Sequence, residues 1–288
     1  YGALNSNLTR TSTDFWPWRP ETHGQHLYIN ALVSAWFGEF IWPDWDMFES
    51  GHAAGAFHAA GRVVSGGPIY VSDKPGEQNF DLLRKLALPD GRTLRAEIPG
   101  RPTLDCLFVD PTREDVLYKI WNLNEDAGIL GAFNCRYGGE AGSGAAPVTV
   151  QGAVCPGDVP GLEADCYVVY AHTRREMRTL ERQEKWELAL PELGYEVFTV
   201  VPIRDGAAPL GLIDYMNSAG AILAKGWVSR ELYYLLAKGS GLCLVWLDRP
   251  ALSVRVDGEA VDFSYVRETN LLAFELADRY RNPAIVLT

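Results

Sequence analysis

A change in hydrophobic period near residue 105 constrains the fold more than any other feature of this sequence. Before it, Leu27, Ile29, Leu32, Val33, Trp36 and Phe37 recur at helical spacing and predict a helix over 22–40. Pro20 stands just before it, where a helix start tolerates proline. The small apolar stretch 53–64, with His58 and Arg62 interspersed, predicts a second, tightly packed helix, and 80–86 a short third one. Between them, Gly66-Gly67-Pro68 reads as a turn feeding a buried strand that ends at Ser72-Asp73. After residue 105, short apolar runs alternate with turn signals at 116–122, 128–135, 146–154, 166–172, 178–190, 195–203, 242–247, 253–256, 271–275 and 284–287. That is the pattern of an antiparallel β-sandwich. The Gly-, Ala- and Ser-rich stretch 138–146 reads as a surface loop, and 209–224 as strand and loop. The expected class is therefore α/β plus all-β, divided into 1–104 and 105–288. The early order of loop, helix, acidic strand end, helix, acidic strand end is that of a (β/α) barrel. In such barrels the acidic residues at C-terminal strand ends carry the chemistry.

The charge balance narrows the partners. A formal net charge of −11 makes nucleic acid and anionic membranes poor ones. No run is long and apolar enough to span a bilayer. The five cysteines are odd in number and show no CxxC spacing, which argues against a disulfide framework and a zinc site. Buried free thiols in a reducing, cytoplasmic compartment are expected. The five histidines are scattered; His52 and His58 have no metal-binding spacing, and no cofactor is expected. The chain begins at Tyr1 and shows no signal peptide, so it reads as a processed piece or the later part of a longer polypeptide. A GxSxG elbow, a P-loop, GxGxxG and HExxH are all absent.

The segment Phe40-Ile41-Trp42-Pro43-Asp44-Trp45-Asp46-Met47-Phe48 sets two carboxylates among tryptophans. On a strand end, residues two apart face the same side, so Asp44 and Asp46 would share a face. Indole rings stack on the apolar side of a pyranose while carboxylates take hydroxyls or protons, as a sugar site requires. The alternative is a loop whose tryptophans belong to the core. Arg10 and Asp14 form a second candidate. The arginine favours the ionised carboxylate, while burial against Phe15 or Trp16 would favour the protonated acid that a general acid needs. The alternative is an Arg–Asp pair closing a loop. Asp73, before the Pro75-Gly76 turn, reads as a structural hydrogen-bond acceptor.

Several longer motifs carry a resemblance. They include Trp42 to Ser50, Ser65 to Gly76, Gly100-Arg101-Pro102-Thr103, Lys119-Ile120-Trp121-Asn122, Phe133-Asn134-Cys135, Tyr195 to Val200 and Pro209 to Asp214. Together they resemble the raffinose synthase and alkaline α-galactosidase group, also called seed imbibition proteins, of glycoside hydrolase family 36. The resemblance implies a (β/α)8 barrel followed by a C-terminal β-sandwich, of which this chain holds the C-terminal portion of the barrel. It implies retaining chemistry on α-galactosides. Arg10, Ser12, Asp14 and Phe15 match the family's Arg-x-Ser-x-Asp-Phe motif, whose aspartate is the acid/base, so Asp14 takes that role. The similar Asp-x-Asp-Met segment of family 27 maps a galactose contact onto Asp46, with Asp44 close by and Arg10 and Met47 beside it. Trp16, Trp18, Trp42 and Trp45 are the stacking candidates. Position 13, often acidic in plant members, is Thr13 here. The family's nucleophile motif, Lys-x-Asp, does not occur in this sequence. The implied partners are an α-galactoside and the N-terminal part of the same enzyme, or a second chain carrying the nucleophile. A part-barrel with an open strand edge is expected to be an oligomer rather than a stable monomer. The alternative function is a non-catalytic carbohydrate-binding or regulatory protein.

Overall fold

The computed structural model describes residues 4–139, 148–278 and 282–288. From position 140 on, the loop expected at 138–146 lies outside the described residues. Strand β1 (Leu8–Arg10) leads to helix α1 (Thr22–Phe37), and β2 (Trp42–Asp44) then pairs in parallel with β1, placing Arg10 opposite Asp44. Helix α2 (Gly55–Ser65) and the short α3 (Phe80–Leu83) follow. The strand expected at 69–73 reduces to one parallel bridge between Phe48 and Val71. Asp73 explains why: its carboxylate accepts the backbone N–H and hydroxyl of Ser50, both at 2.6 Å, so the segment is anchored by a side chain rather than a ladder. Helix α2 stops at Gly66, whose φ of 69° is left-handed, and a side chain there would run into Ile98 and Asn122.

The rest is antiparallel. First come β3 (Arg101–Pro102), β4 (Tyr118–Asn124), β5 (Ala127–Phe133), β6 (Val150–Val154) and β7 (Cys166–Ala171). Then follow β8 (Glu176–Glu181), β9 (Trp186–Leu190), β10 (Tyr195–Pro202), β11 (Ala207–Leu212) and β12 (Ile222–Ser229). The chain ends with β13 (Leu232–Ala237), β14 (Gly241–Leu247), β15 (Val254–Val256), β16 (Glu259–Ala260), β17 (Phe263–Val266), β18 (Leu271–Leu276) and β19 (Ala284–Leu287).

A six-stranded sheet, in the order β3-β4-β5-β10-β7-β8, is the centre of this part. One face packs Tyr118, Ile129, Phe133 and Val197 against Leu27, Phe48 and Phe57 of the helical segment. Farther along, the sheet packs Val168, Tyr170 and Val201 against Leu210 and Leu244 of β11 and β14. A separate layer, β6 paired with β9, packs Trp186 and Leu188 against Leu130, Tyr167 and Phe198. Burial on both faces is why β5, β7 and β10 read as continuous apolar runs rather than alternating ones. Beyond it, sheets β11-β14-β18-β17 and β12-β13-β19-β15-β16 enclose a core of Leu235, Val245, Phe274 and Ile285. The single sandwich expected from the turn spacing is thus a central sheet plus a true two-sheet sandwich. The run expected at 178–190 divides into β8 and β9, which belong to different sheets. No helix among the described residues is long and apolar enough to cross a membrane.

Helix α1 touches the central sheet so closely that Gly24 has no room for a side chain: a Cβ there would overlap the backbone of Cys135. Gly24→Ala is expected to destabilise the protein by about 2–3 kcal/mol, because overpacking outweighs the gain in helix propensity. An unchanged urea midpoint would show that α1 is not seated on Cys135.

Candidate active site

The site is built where β1 and β2 end. Arg10 closes β1, and one of its guanidinium nitrogens, Nη1, donates to Asp14 Oδ1 at 3.0 Å and to Asp46 Oδ2 at 2.6 Å. Two carboxylates 32 positions apart by number therefore share one cation. The Arg10–Asp14 pair read from the spacing is present, while the burial that would favour a protonated Asp14 is absent among the described residues. The Asp14 side chain is 73 % exposed, while Phe15 turns inward against the rings of His23 and His58.

Asp46 is the opposite case, with a side chain only 1 % exposed. Strand β2 stops at Asp44, and Asp46 takes a φ of 68°, so the strand alternation that would set both carboxylates on one face does not apply. Instead Asp46 turns its carboxylate inward. Oδ2 accepts the Phe15 N–H at 2.7 Å, and Oδ1 accepts the Met47 N–H at 2.8 Å. Burial alone would raise its pKa; the nearby His26 ring, 3.8 Å away, the bonds from Met47 and Phe15 and the charge of Arg10 prevail and hold it below the usual carboxylate range. Among the described residues the Asp46 carboxylate is enclosed and orients Arg10, at the position where a galactose contact was expected. Asp44 is half-buried and accessible. It accepts the Asp46 N–H at 2.9 Å and the Tyr70 hydroxyl on both oxygens, at 3.0 and 2.9 Å. Burial, then the bond to Asp44, pushes the Tyr70 phenol up to about 12, so Tyr70 remains a donor at any physiological pH.

The aromatic candidates separate. Trp45 is fully buried and donates to Ser34 Oγ at 2.8 Å, so it is core and cannot stack on a ligand. Trp42 starts β2, donates to Gly66 O and lies under the Arg95 guanidinium, 4.8 Å from its ring centroid. It lines a cleft of about 650 Å³ with Leu8, Phe40 and Pro68, at the end of the strand pair opposite Arg10 and Asp44, so the structure does not bring Trp42 to the carboxylates. Trp16 is half-buried beneath Arg19, Trp18 is exposed, and Met47 is exposed beside Asp46.

Sequence reasoning missed a histidine cluster. His23, His26, His52 and His58 gather behind the carboxylates, with ring centroids 5.0 Å apart for His23 and His58 and 5.6 Å for His26 and His58. Burial pushes His23 and His26 down to about 4 and His58 well below its usual value. No group among the described residues could hold a metal ion. The available signal was the spacing of His23 and His26 on α1 and of His58 and Arg62 on α2, which places each pair on one helix face.

Residues 1–276 match the family described as raffinose synthase or seed imbibition protein Sip1. The chain is 41 % identical to a protein of Arabidopsis thaliana named probable galactinol–sucrose galactosyltransferase 1, across 96 % of this chain and 40 % of that protein. It is 39 % identical to a galactinol–sucrose galactosyltransferase of Oryza sativa subsp. japonica, across 90 % of this chain and 37 % of that protein. It thus spans about 40 % of the length of the curated relatives it matches. Among solved structures, a GH27 β-L-arabinopyranosidase from Geobacillus stearothermophilus is 14 % identical, covers 69 % of this chain and 46 % of its own, and has a TM-score of 0.49. No residue role follows from a likeness at that level. The family match runs through the carboxylate cluster and both helices behind it, and on it the chain belongs to the raffinose synthase or seed imbibition protein family.

Proposed function

We propose that this chain supplies the acid/base carboxylate and one wall of the sugar pocket of a retaining enzyme acting on raffinose-type α-galactosides. The observation that carries the reading is the Arg10 guanidinium bound to both Asp14 and Asp46 at the C-terminal ends of two parallel strands. Acidic residues of (β/α)8 barrels act at that end. In this reading residues 1–104 are the last strand–helix units of such a barrel, and 105–288 form the β domain behind it. The galactosyltransferase names of the relatives support the same substrate class.

Asp14 gives its proton to the leaving-group oxygen as that oxygen parts from the anomeric carbon. It then takes a proton from the hydroxyl of water or of an acceptor sugar as that hydroxyl attacks. Retaining chemistry needs a nucleophilic carboxylate about 5–5.5 Å from the acid/base. In this reading that group lies on a segment or partner chain packed against the open edge of β1. Arg10, Asp44 and Met47 border the galactose, Trp16 is the stacking ring, and Asp46 acts through Arg10.

The test incubates the polypeptide that carries this chain with galactinol, with and without sucrose. Free galactose marks hydrolysis, and a trisaccharide formed only with sucrose marks transfer. Galactose binding with neither product replaces this reading by a carbohydrate-binding protein without turnover. Because Tyr70 holds Asp44 through one neutral donor, Tyr70→Phe is expected to raise KM for the galactoside about tenfold with the fold intact. An unchanged KM would remove Asp44 from the pocket wall.

A further inference from the structure

Arg62 is fully buried, yet no carboxylate lies within ion-pair distance of it among the described residues. Its guanidinium is spent on carbonyls instead. Nε donates to Asp46 O at 3.3 Å and Nη2 to Met47 O at 3.1 Å. Those two carbonyls flank Met47, and the first of them lies on the peptide that leaves Asp46, whose backbone is left-handed. A non-glycine residue in that conformation is unfavourable by itself and persists only where its surroundings over-determine it. The third contact is Nη1 to His58 Nδ1 at 2.7 Å. Arginine is donor only, so His58 Nδ1 is the acceptor and His58 carries its proton on Nε2. That N–H then donates to His23 Nδ1 at 2.8 Å, which places the His23 proton on Nε2. The row Arg62, His58, His23 is thus locked in one hydrogen-bond direction from α2 to α1.

A packing role alone does not account for Arg62. Its aliphatic stem could be replaced by Met at similar volume, without the penalty of burying an unpaired cation. What Met cannot do is hold two carbonyls at once. From the carbonyl of Asp46 the constraint passes to its carboxylate, from there to Arg10, and from Arg10 to Asp14.

We propose that Arg62, oriented by His58, is a positioning residue for the acid/base: it clamps the backbone at Asp46 and so fixes the Arg10–Asp14 pair. The effect on catalysis rests on the reading of Asp14 given above; the clamp itself does not. Displacements of an ångström at a reacting group cost about a hundredfold in rate, so a backbone clamp behind the site carries catalytic weight.

The test uses Arg62→Met, Arg62→Lys and His58→Gln in the polypeptide that carries this chain. Amide hydrogen exchange is followed at Phe15 and Met47, the two backbone donors to the Asp46 carboxylate. Asn134 and His172, whose amides bond Gly194 O and Val197 O in the β part, are the controls. The expected result is exchange at Phe15 and Met47 faster by about tenfold or more in Arg62→Met, with the controls unchanged. In parallel, kcat is expected to fall about ten- to a hundredfold and KM to change less than about threefold. Arg62→Lys, which can still donate to one carbonyl, and His58→Gln, which leaves Arg62 in place, fall between. Equal loss of protection at all four amides, or unchanged exchange at Phe15 and Met47, overturns the clamp. If Arg62→Met does not fold, the same comparison in Arg62→Lys and His58→Gln decides. A wild-type protein without α-galactoside turnover defeats the functional reading, while the exchange pattern still decides the clamp.

Discussion

Asp14→Asn is expected to lower turnover of natural α-galactosides by about 10²- to 10⁴-fold, the range a positioned general acid contributes. An amide cannot deliver the proton that the departing sugar oxygen requires. The loss should be far smaller for an aryl α-galactoside, whose leaving group departs as a stable phenolate. That contrast separates loss of the acid from loss of the pocket. The fold should not notice the change, since the Asp14 side chain stands in solvent and Arg10 keeps its bond to Asp46. The measurement is kcat/KM on both substrate types, which reports the bond-breaking first step, alongside a thermal melt. Turnover of the natural substrate near the wild-type rate would remove Asp14 from the chemistry.

Acid should unfold this protein early, and the histidines set the window. His23, His26 and His58 are all held neutral, burial being the largest cause in each. For His23 and His26 the folded value is about 4 against an ordinary 6.5. Between those values the unfolded chain binds protons that the folded one refuses, so stability rises with pH there and falls on acidification. At 1.36 kcal/mol per unit, each of the two accounts for about 3 kcal/mol lost between pH 6.5 and 4. His58 adds to the loss in the same direction. Asp46 acts lower: its value lies below the ordinary 3.8, so its contribution is present above that pH and is lost as pH falls through the folded value. Urea titrations at pH 7 and 4.5 should show the midpoint falling steeply, and His26→Gln should flatten the dependence. A midpoint that does not move between those pH values would mean that the three rings are not neutral and buried.

Much of the candidate site and fold was legible in the sequence, and the physical reason differs by element. Helix α1 was legible from the spacing of its apolar residues, although of these only Leu27 is fully buried and Trp36 and Phe37 are exposed. Its buried positions are His23, Gly24, His26, Leu27, Asn30, Ala31 and Ser34. Helix α2 was legible as a small apolar run because it is buried almost all round. The ends of α2 were within two residues, and its stop was marked by Gly66. Strands β5, β7 and β10 were legible because burial on both sides leaves apolar runs between turns. By contrast β12, with Lys225 and Gly226 in its middle and mostly half-buried residues, offers neither period nor run. It pairs with the next strand, β13, across the Arg230-Glu231 turn, and two register shifts interrupt the regular alternation. The Arg10–Asp14 pair was visible because its partners lie four residues apart, a local relation.

What only the tertiary structure decided is non-local. Asp44 and Asp46 look equivalent as letters; the left-handed backbone at Asp46 separates them into an accessible carboxylate and an enclosed one. Trp42 and Trp45 look like a matched pair of sugar platforms. Packing sends Trp45 into the core against Ser34 and Trp42 to the far end of the strands. The four histidines come from α1, the loop before α2, and α2 itself, and no spacing along the chain records that two helices cross there. Local pattern reports where apolar runs and turns fall, so the sequence by itself determined helices α1 and α2, many of the later strands, the change of architecture near residue 105 and the Arg10–Asp14 pair. Which buried groups meet across elements depends on how those faces dock, and only the folded chain brings Arg62, His58 and His23 into line behind Asp46.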